Sequence, residues 1–273
     1  MSKYVYKAMT IAGSDASGGA GLEADLKTFQ EFGVYGMAAV TTIVTMNPAD
    51  WSHEVFPVEL KTVEKQIETI VSTGINAMKT GMLGSPELVE LVDYSIKKHD
   101  LKNIVIDPVM VCKGVDDILV PTAAEAIKKL LVKHATVITP NIIEAAYLAD
   151  MPPIKNMSEL QDAAERIKEM GAKIVIIKGG TRFDPNKAID IIHYGKELHD
   201  ETQIISLDVI KPAYNHGAGC TYSAALTANL AKGISPSEAI KNTITFIRAA
   251  LSQSFPLNKF TGPVIHEVLR NFQ

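Results

Sequence analysis

The run Tyr214-Asn215-His216-Gly217-Ala218-Gly219-Cys220-Thr221 sets two glycines and a thiol ahead of an alanine- and leucine-rich segment. Gly217 and Gly219 relax the backbone for a turn. Ala224, Ala225, Leu226, Ala228, Leu230 and Ala231 then favour a helix over about Cys220–Lys232. A glycine turn at a helix N-terminus gathers outward N–H groups at the positive end of the dipole, an arrangement that suits an anion. Ala218 is the smallest side chain that can separate the glycines. Cys220 falls in the first turn, where a thiol loses its proton more easily. A base beside an anion hole suits transfer of a charged group to a hydroxyl. The same residues equally make a tight turn before a buried helix.

Two further clusters carry usable chemistry. Asn141 and Glu144 share one helix face after Thr139-Pro140. They suit a Mg²⁺-nucleotide held through waters, or else a capping box. Asp107 would join that metal shell or simply end its strand. Lys178 would neutralise phosphate or lie along the surface. Gly19-Ala20-Gly21-Leu22-Glu23-Ala24 fits the dinucleotide pattern G-x-G-x-x-A, but the next strand ends in Val44-Thr45-Met46-Asn47 without the acidic residue that pattern needs, which marks the reading down. The P-loop, H-E-x-x-H, C-x-x-C and G-x-S-x-G signatures are missing, which argues against a P-loop enzyme, a built-in zinc site and an α/β-hydrolase.

The elements that position these residues alternate strand and helix. A strand at Ala8–Ile11 leads through a glycine loop to a helix ended by Gly33, then to a β-rich run from Met37 to Val44, an order that predicts a parallel sheet. Later strands are read at 77–80, 103–106, 136–138 and 173–177, with an antiparallel pair at 188–194 and 197–205. Helices are read at 58–73, 86–98, 122–133, 142–149, a segment capped by Ser158 and ending at Met170, 235–252 and 263–272. The expected fold is one three-layer α/β domain over residues 1–273. Its glycine and polar clusters all fall at strand ends, where such sheets bind ligands.

The chain has 273 residues, 47% of them hydrophobic, and a net charge of −4, enough length for a large core. With no Lys/Arg block, a nucleic-acid surface is not expected. No apolar run reaches membrane-spanning length and the first residues lack a signal peptide's apolar region, so a cytoplasmic protein with reduced Cys112 and Cys220 is expected.

Taken in order, Gly13–Gly21, Lys79-Thr80-Gly81-Met82-Leu83, Asp107-Pro108-Val109-Met110, Thr139–Ala145, Lys178-Gly179-Gly180 and His216–Thr221 resemble the hydroxymethylpyrimidine (phosphate) kinase and bacterial pyridoxal kinase branch of the ribokinase-like superfamily. The resemblance spans residues 8 to about 250. It implies a ribokinase-like α/β/α fold and ATP-dependent phosphorylation of a hydroxymethyl group on a small heteroaromatic ring, with Mg²⁺. Gly217, Ala218, Gly219 and Cys220 would form the anion hole, Cys220 standing where most of the superfamily has an Asp base. Asn141 and Glu144 match the magnesium and phosphate motif, with Asp107 beside them. Lys178, Gly179, Gly180 and Thr181 match the nucleotide segment; Asp190, His216 and Lys241 would complete it. Gly13, Asp25, Met46 and Met82 match the substrate pocket, Asp25 binding the ring's polar edge. A homodimer is expected.

Position 46 departs from the pyrimidine kinases, which carry glutamine there; Met46 packs on a ring but donates no hydrogen bond. The loop around Cys112 departs as well. Both departures resemble the pyridoxal kinases that share this fold, so pyridoxal is the expected substrate and hydroxymethylpyrimidine the alternative. In that group a lid over 109–117 would close on the ring. Cys112, its thiolate favoured by Lys113, would add to the aldehyde of pyridoxal; alternatively it is a small apolar residue at a strand end.

Overall fold

The apolar opening run lies within β1 (Lys7–Asp15), whose central residues are buried. After it come α1 (Gly21–Glu31), β2 (Tyr35–Met46), β3 (His53–Pro57), α2 (Leu60–Ser72), β4 (Ala77–Thr80), α3 (Pro86–Lys98) and β5 (Ile104–Ile106). Then follow α4 (Pro121–Ala126), β6 (Val137–Ile138), α5 (Ile142–Leu148), α6 (Met157–Glu169), β7 (Ile174–Lys178), β8 (Lys187–Tyr194), β9 (Thr202–Asp208), α7 (Ala218–Ala231) and α8 (Pro236–Ser252). The structure, a computed structural model, describes residues 4–111, 118–195, 201–211 and 214–269. The described residues form two compact units, one from Met1–Gly84, His99–Asn103 and Ile210–Gln273, the other from Ser85–Lys98 and Ile104–Val209.

In the first unit the strands run in the order β3-β2-β1-β4. β1 pairs in parallel with β2 and with β4, so the strand–helix–strand opening is present as expected. β3, which no buried face announces, pairs antiparallel with β2. From Thr221 to Ala231 every residue of α7 is buried. A helix apolar all round belongs inside a protein, and α7 packs among α1, α8, β1 and β4. Ala224, Ala228 and Ala231 meet Ala8, Phe29, Val34 and Ala77 in one cluster, where small side chains let the helix approach the strands closely.

In the second unit the order is β5-β6-β7-β8-β9, parallel from β5 to β7 and antiparallel from β7 to β9. The β8–β9 pair is the antiparallel pair expected, β9 running from Thr202 to Asp208.

Three local expectations are corrected. The helix read over 122–133 is α-helical only to Ala126; a wider π turn at Ile127–Leu131 and a tight 3₁₀ turn at Val132–His134 complete it. Asn156, not Ser158, caps α6, its side chain accepting the Glu159 N–H. Residues 263–269 form no helix: the Val264 N–H goes to the His216 carbonyl and the Ile265 N–H to that of Ala250.

Candidate active site

In the first unit the glycine turn begins α7 at Ala218, slightly earlier than read from sequence. Gly217 is its N-cap, with φ 76°, a left-handed conformation that glycine adopts without a Cβ penalty. The Thr221 N–H closes the first helical bond onto the Gly217 carbonyl at 2.9 Å. The positive end of α7 therefore lies at Gly217–Cys220. Cys220 is half-buried and in no disulfide.

The turn rests on the loop after β1. His216 Nε2 lies 2.7 Å from Asp15 Oδ2 and 3.3 Å from Ser17 Oγ. Facing a carboxylate, Nε2 is the nitrogen that carries the proton. Asp15 also accepts the Ser17 and Ala20 N–H groups. Burial pulls the Asp15 pKa upward, but the bonds from His216 and Ser17 outweigh it and hold the carboxyl at about 2. Glu23 fixes the same loop from α1, accepting the Ser14 hydroxyl and the Asp15 N–H. At the strand ends alongside, a Cβ on Gly13 would fall 2.7 Å from the Thr42 methyl and 3.8 Å from Met82 Cβ. Thr41 Oγ1 donates to the Met82 carbonyl, and half-buried Met46 ends β2. Gly13, Thr42 and Met82 thus converge at the carboxyl ends of β1, β2 and β4.

In the second unit the ends of β5, β6 and β7 hold a polar group. Asp107 accepts from Thr139 Oγ1 and from Lys178 Nζ, each at 3.3 Å. Glu144 accepts the Asn141 N–H at 2.8 Å and the Met110 N–H at 2.9 Å, while Asn141 Oδ1 takes the N–H groups of Ile143 and Glu144. The capping box is therefore real. It also holds the chain just past Val109, a β-branched residue at φ 45°, which is a genuine backbone outlier. Burial raises the Glu144 pKa, Lys178 pulls it down and the Asp107 charge pushes it up again. Asp190 sits opposite Lys178 across β7 and β8 and accepts the Gly179 N–H; burial raises its pKa too. A Cβ on Gly179 would lie 2.3 Å from the Ile189 carbonyl oxygen, so this turn requires glycine.

The sequence profile for phosphomethylpyrimidine kinase matches residues 15–265. The chain belongs to the phosphomethylpyrimidine kinase family. It is similar to the pyridoxine kinase of Bacillus subtilis, 48% identical over 97% of each chain. It is also 37% identical to that organism's hydroxymethylpyrimidine/phosphomethylpyrimidine kinase, over 96% of this chain and 95% of the relative. Among solved structures, Staphylococcus aureus pyridoxal kinase in complex with AMP-PCP and pyridoxal superposes with a TM-score of 0.91 at 41% identity, covering 99% of this chain and 97% of that one. The α/β fold with a mostly parallel sheet is the ribokinase-like fold expected.

Asp25 and Lys79 form an ion pair at 2.8 Å with both side chains wholly buried, and Thr10 Oγ1 donates to Asp25 at 2.6 Å. Asp25 is thus a core carboxylate beneath the strand ends. Lys241 is exposed on α8, 3.9 Å from Glu238. Thr181 is exposed next to Gly180. Cys112 and most of the proposed lid lie outside the described residues. Among the described residues, no three His, Cys, Asp or Glu side chains gather as a metal site, and no helix is long and apolar enough to cross a membrane.

Sequence reasoning gave no role to Asp15, Ser17 or Lys79. Asp15 and Ser17 stood inside the glycine loop, hidden by its more obvious pattern. For Lys79 there was a signal: a charge in the otherwise apolar start of Ala77-Met78-Lys79-Thr80 needs a buried partner.

Proposed function

We propose that this chain transfers the γ-phosphate of ATP to the 5′-hydroxymethyl group of pyridoxal, and of pyridoxine and pyridoxamine. The observation that carries this reading is the His216–Cys220 turn. Its glycine geometry and thiol are intact and braced by Asp15, in a chain 41% identical to a kinase solved with AMP-PCP and pyridoxal.

The Cys220 thiolate accepts the hydroxyl proton as that oxygen bonds to the γ-phosphorus. The bond from phosphorus to the β-phosphate oxygen breaks, and ADP leaves. N–H groups of the Gly217–Cys220 turn face the charge on the transferred group. Lys178, Gly179, Gly180 and Thr181 take the nucleotide phosphates, and Asp190 shapes that turn through the Gly179 N–H. His216 and Lys241 serve as further nucleotide contacts. Gly13, Met46 and Met82 line the ring site, and Asp25 orders it from below through Lys79. Most of the rate gain comes from positioning and charge stabilisation.

The donor set fits a magnesium ion carried by the nucleotide. Asp107 and Glu144 are buried carboxylates, and a further cation near Lys178 would relieve the burial and repulsion that raise the Glu144 pKa. Those two residues would hold the ion through waters, and when bound it would neutralise phosphate charge.

The whole chain acts as one kinase domain, a reading supported by relatives matched over nearly their full length. The expected homodimer is supported by β3, an edge strand with all five residues exposed. Hydroxymethylpyrimidine is the second reading, favoured by the 37% identity to the Bacillus subtilis enzyme. Initial rates with ATP on pyridoxal and on hydroxymethylpyrimidine, side by side, test both. A higher kcat/KM on the pyrimidine would reverse their order, and no ATP consumption with either ring would remove the kinase reading.

A further inference from the structure

Trp51, the chain's only tryptophan, has no part in the reaction just described. It sits in the turn after β2, just beyond Met46, at φ 64°. A bulky residue keeps that conformation only where its surroundings impose it, and such strain collects at functional sites. The turn's own bonds impose part of it: the Trp51 N–H goes to the Asn47 carbonyl at 2.7 Å and the Asn47 N–H to the Ser52 carbonyl at 2.9 Å. The ring also stacks on Phe260, centroids 5.9 Å apart and planes 18° from parallel.

Phe260 opens a segment that leads directly to the transfer turn. Asn258 Oδ1 accepts the Phe260 and Thr261 N–H groups. A Cβ on Gly262 would fall 2.4 Å from both the Tyr214 ring and the Phe255 carbonyl oxygen, so the segment is tightly seated. The Gly262 carbonyl accepts the His216 N–H at 3.1 Å, and the Val264 N–H reaches the His216 carbonyl at 3.2 Å. Farther on, His266 Nε2 lies 3.1 Å from Thr221 Oγ1, with both residues buried. The segment therefore grips the turn on both sides of Gly217, and its second grip adjoins Cys220.

We propose that Phe260–His266 is a positioning strap that fixes the end of β2 against the His216–Thr221 turn. The Trp51–Phe260 stack is one anchor and the His266–Thr221 bond is the other. The proposal rests on the reading above, in which the end of β2 holds the vitamin and the turn performs the transfer. The reaction needs the acceptor hydroxyl aligned on phosphorus, and a displacement of about 1 Å costs about a hundredfold in rate. Trp51, Phe260 and His266 touch no reacting atom in this scheme; they are positioning residues.

The test is a double-mutant cycle on kcat and KM for pyridoxal and ATP, run with melting temperatures. The variants are Trp51→Ala, His266→Ala and their combination, with Thr221→Val as a milder cut of the second anchor. Trp51→Ala should raise KM for pyridoxal and lower kcat by about tenfold in all, while KM for ATP stays within about twofold. Trp51→Phe, which keeps a stacking ring, should recover most of the loss. The combined variant should lose at least about threefold less than the product of the single losses, since anchors of one strap couple whereas independent sites multiply. Multiplying losses would overturn the strap, as would variants that melt earlier but keep wild-type kinetics. A wild type inactive on pyridoxal would overturn the underlying reading and the strap with it. An active wild type with an unaltered Trp51→Ala rejects the strap alone.

Discussion

Gly217 lies on Gly19 so closely that a Cβ added to Gly217 would fall 1.8 Å from the Gly19 carbonyl oxygen. The loop after β1 and the turn before α7 are thus one interlocked piece, joined on one side by backbone contact and on the other by the Asp15–His216 bond. Gly217→Ala must move one loop off the other and also hold a non-glycine residue at φ 76°. The expected cost is about 2 kcal/mol or more in urea unfolding, with kcat/KM down at least about tenfold. Gly233→Ala is the control. Gly233 has φ 75° with open space around its Cβ position, so it should lose about 1 kcal/mol and keep its kinetics.

The thiol at the head of α7 is the group assigned to proton removal. Cys220→Ala should fold, since alanine suits a helical first turn. It should lose about 10²–10⁴ in kcat, the usual contribution of a general base, with ATP affinity little changed. Turnover near wild type, measured by ADP release, would take Cys220 out of the mechanism.

How far the sequence revealed this arrangement depended on whether the signal was local. β1 and β7 were legible as short continuous apolar runs, buried on both faces, and α1 because its apolar residues recur at helical spacing. The Asn141–Glu144 capping box was legible because both partners lie in one helical turn. β3 was not, because all its residues are exposed and it exists only through pairing with β2. Residues 263–272 read as a helix, yet the Val264 and Ile265 N–H groups go to the carbonyls of His216 and Ala250, tertiary contacts that outweigh local propensity. At the site, the glycines and Cys220 stood out by type. The Asp25–Lys79 pair, 54 residues apart, could not be joined by any pattern along the chain.

That pair gives a stability prediction. Both side chains are wholly buried, so removing one charge strands the other in a poor dielectric. Lys79→Met should destabilise by about 3–5 kcal/mol. The double variant Lys79→Met/Asp25→Leu, which removes both charges, should recover much of that loss. Chemical denaturation of the three proteins checks it; equal instability of the single and double variants would show that the site cannot be repacked apolar.

His266 sets a pH dependence. Burial lowers its pKa to about 4, and the Lys27 charge on α1 pushes the same way. Lys27, Glu31 and Glu267 line the same cavity as His266. The unfolded chain binds a proton at this histidine near pH 6.5, and the folded chain binds it only near 4. Stability from this group is therefore fully present above pH 6.5 and is lost as pH falls from there to 4, by about 3 kcal/mol. In His266→Gln the part of the acid-induced fall in melting temperature between those limits should flatten, and an unchanged slope would assign it to other groups.

In the proposed scheme, ring choice rests on the end of β2. Met46 is the last residue of that strand, half-buried, and its Cα faces that of His53 in β3. A thioether offers a ring dispersion contact and a weak acceptor, but no N–H. An aminopyrimidine presents donors and acceptors along its edge that this side chain leaves unmatched; the pyridine ring of the vitamin asks less of it. Met46→Gln supplies an amide at about the same length, so it should shift relative kcat/KM toward hydroxymethylpyrimidine by about 1–3 kcal/mol, roughly 5- to 150-fold. The gain should appear on the pyrimidine, whose amino group and ring nitrogens match the amide, while kcat/KM on pyridoxal should change less. Competition assays with both rings in one vessel measure the ratio directly. An equal change on both substrates would make Met46 a packing residue of the strand end and return the choice of ring to other residues.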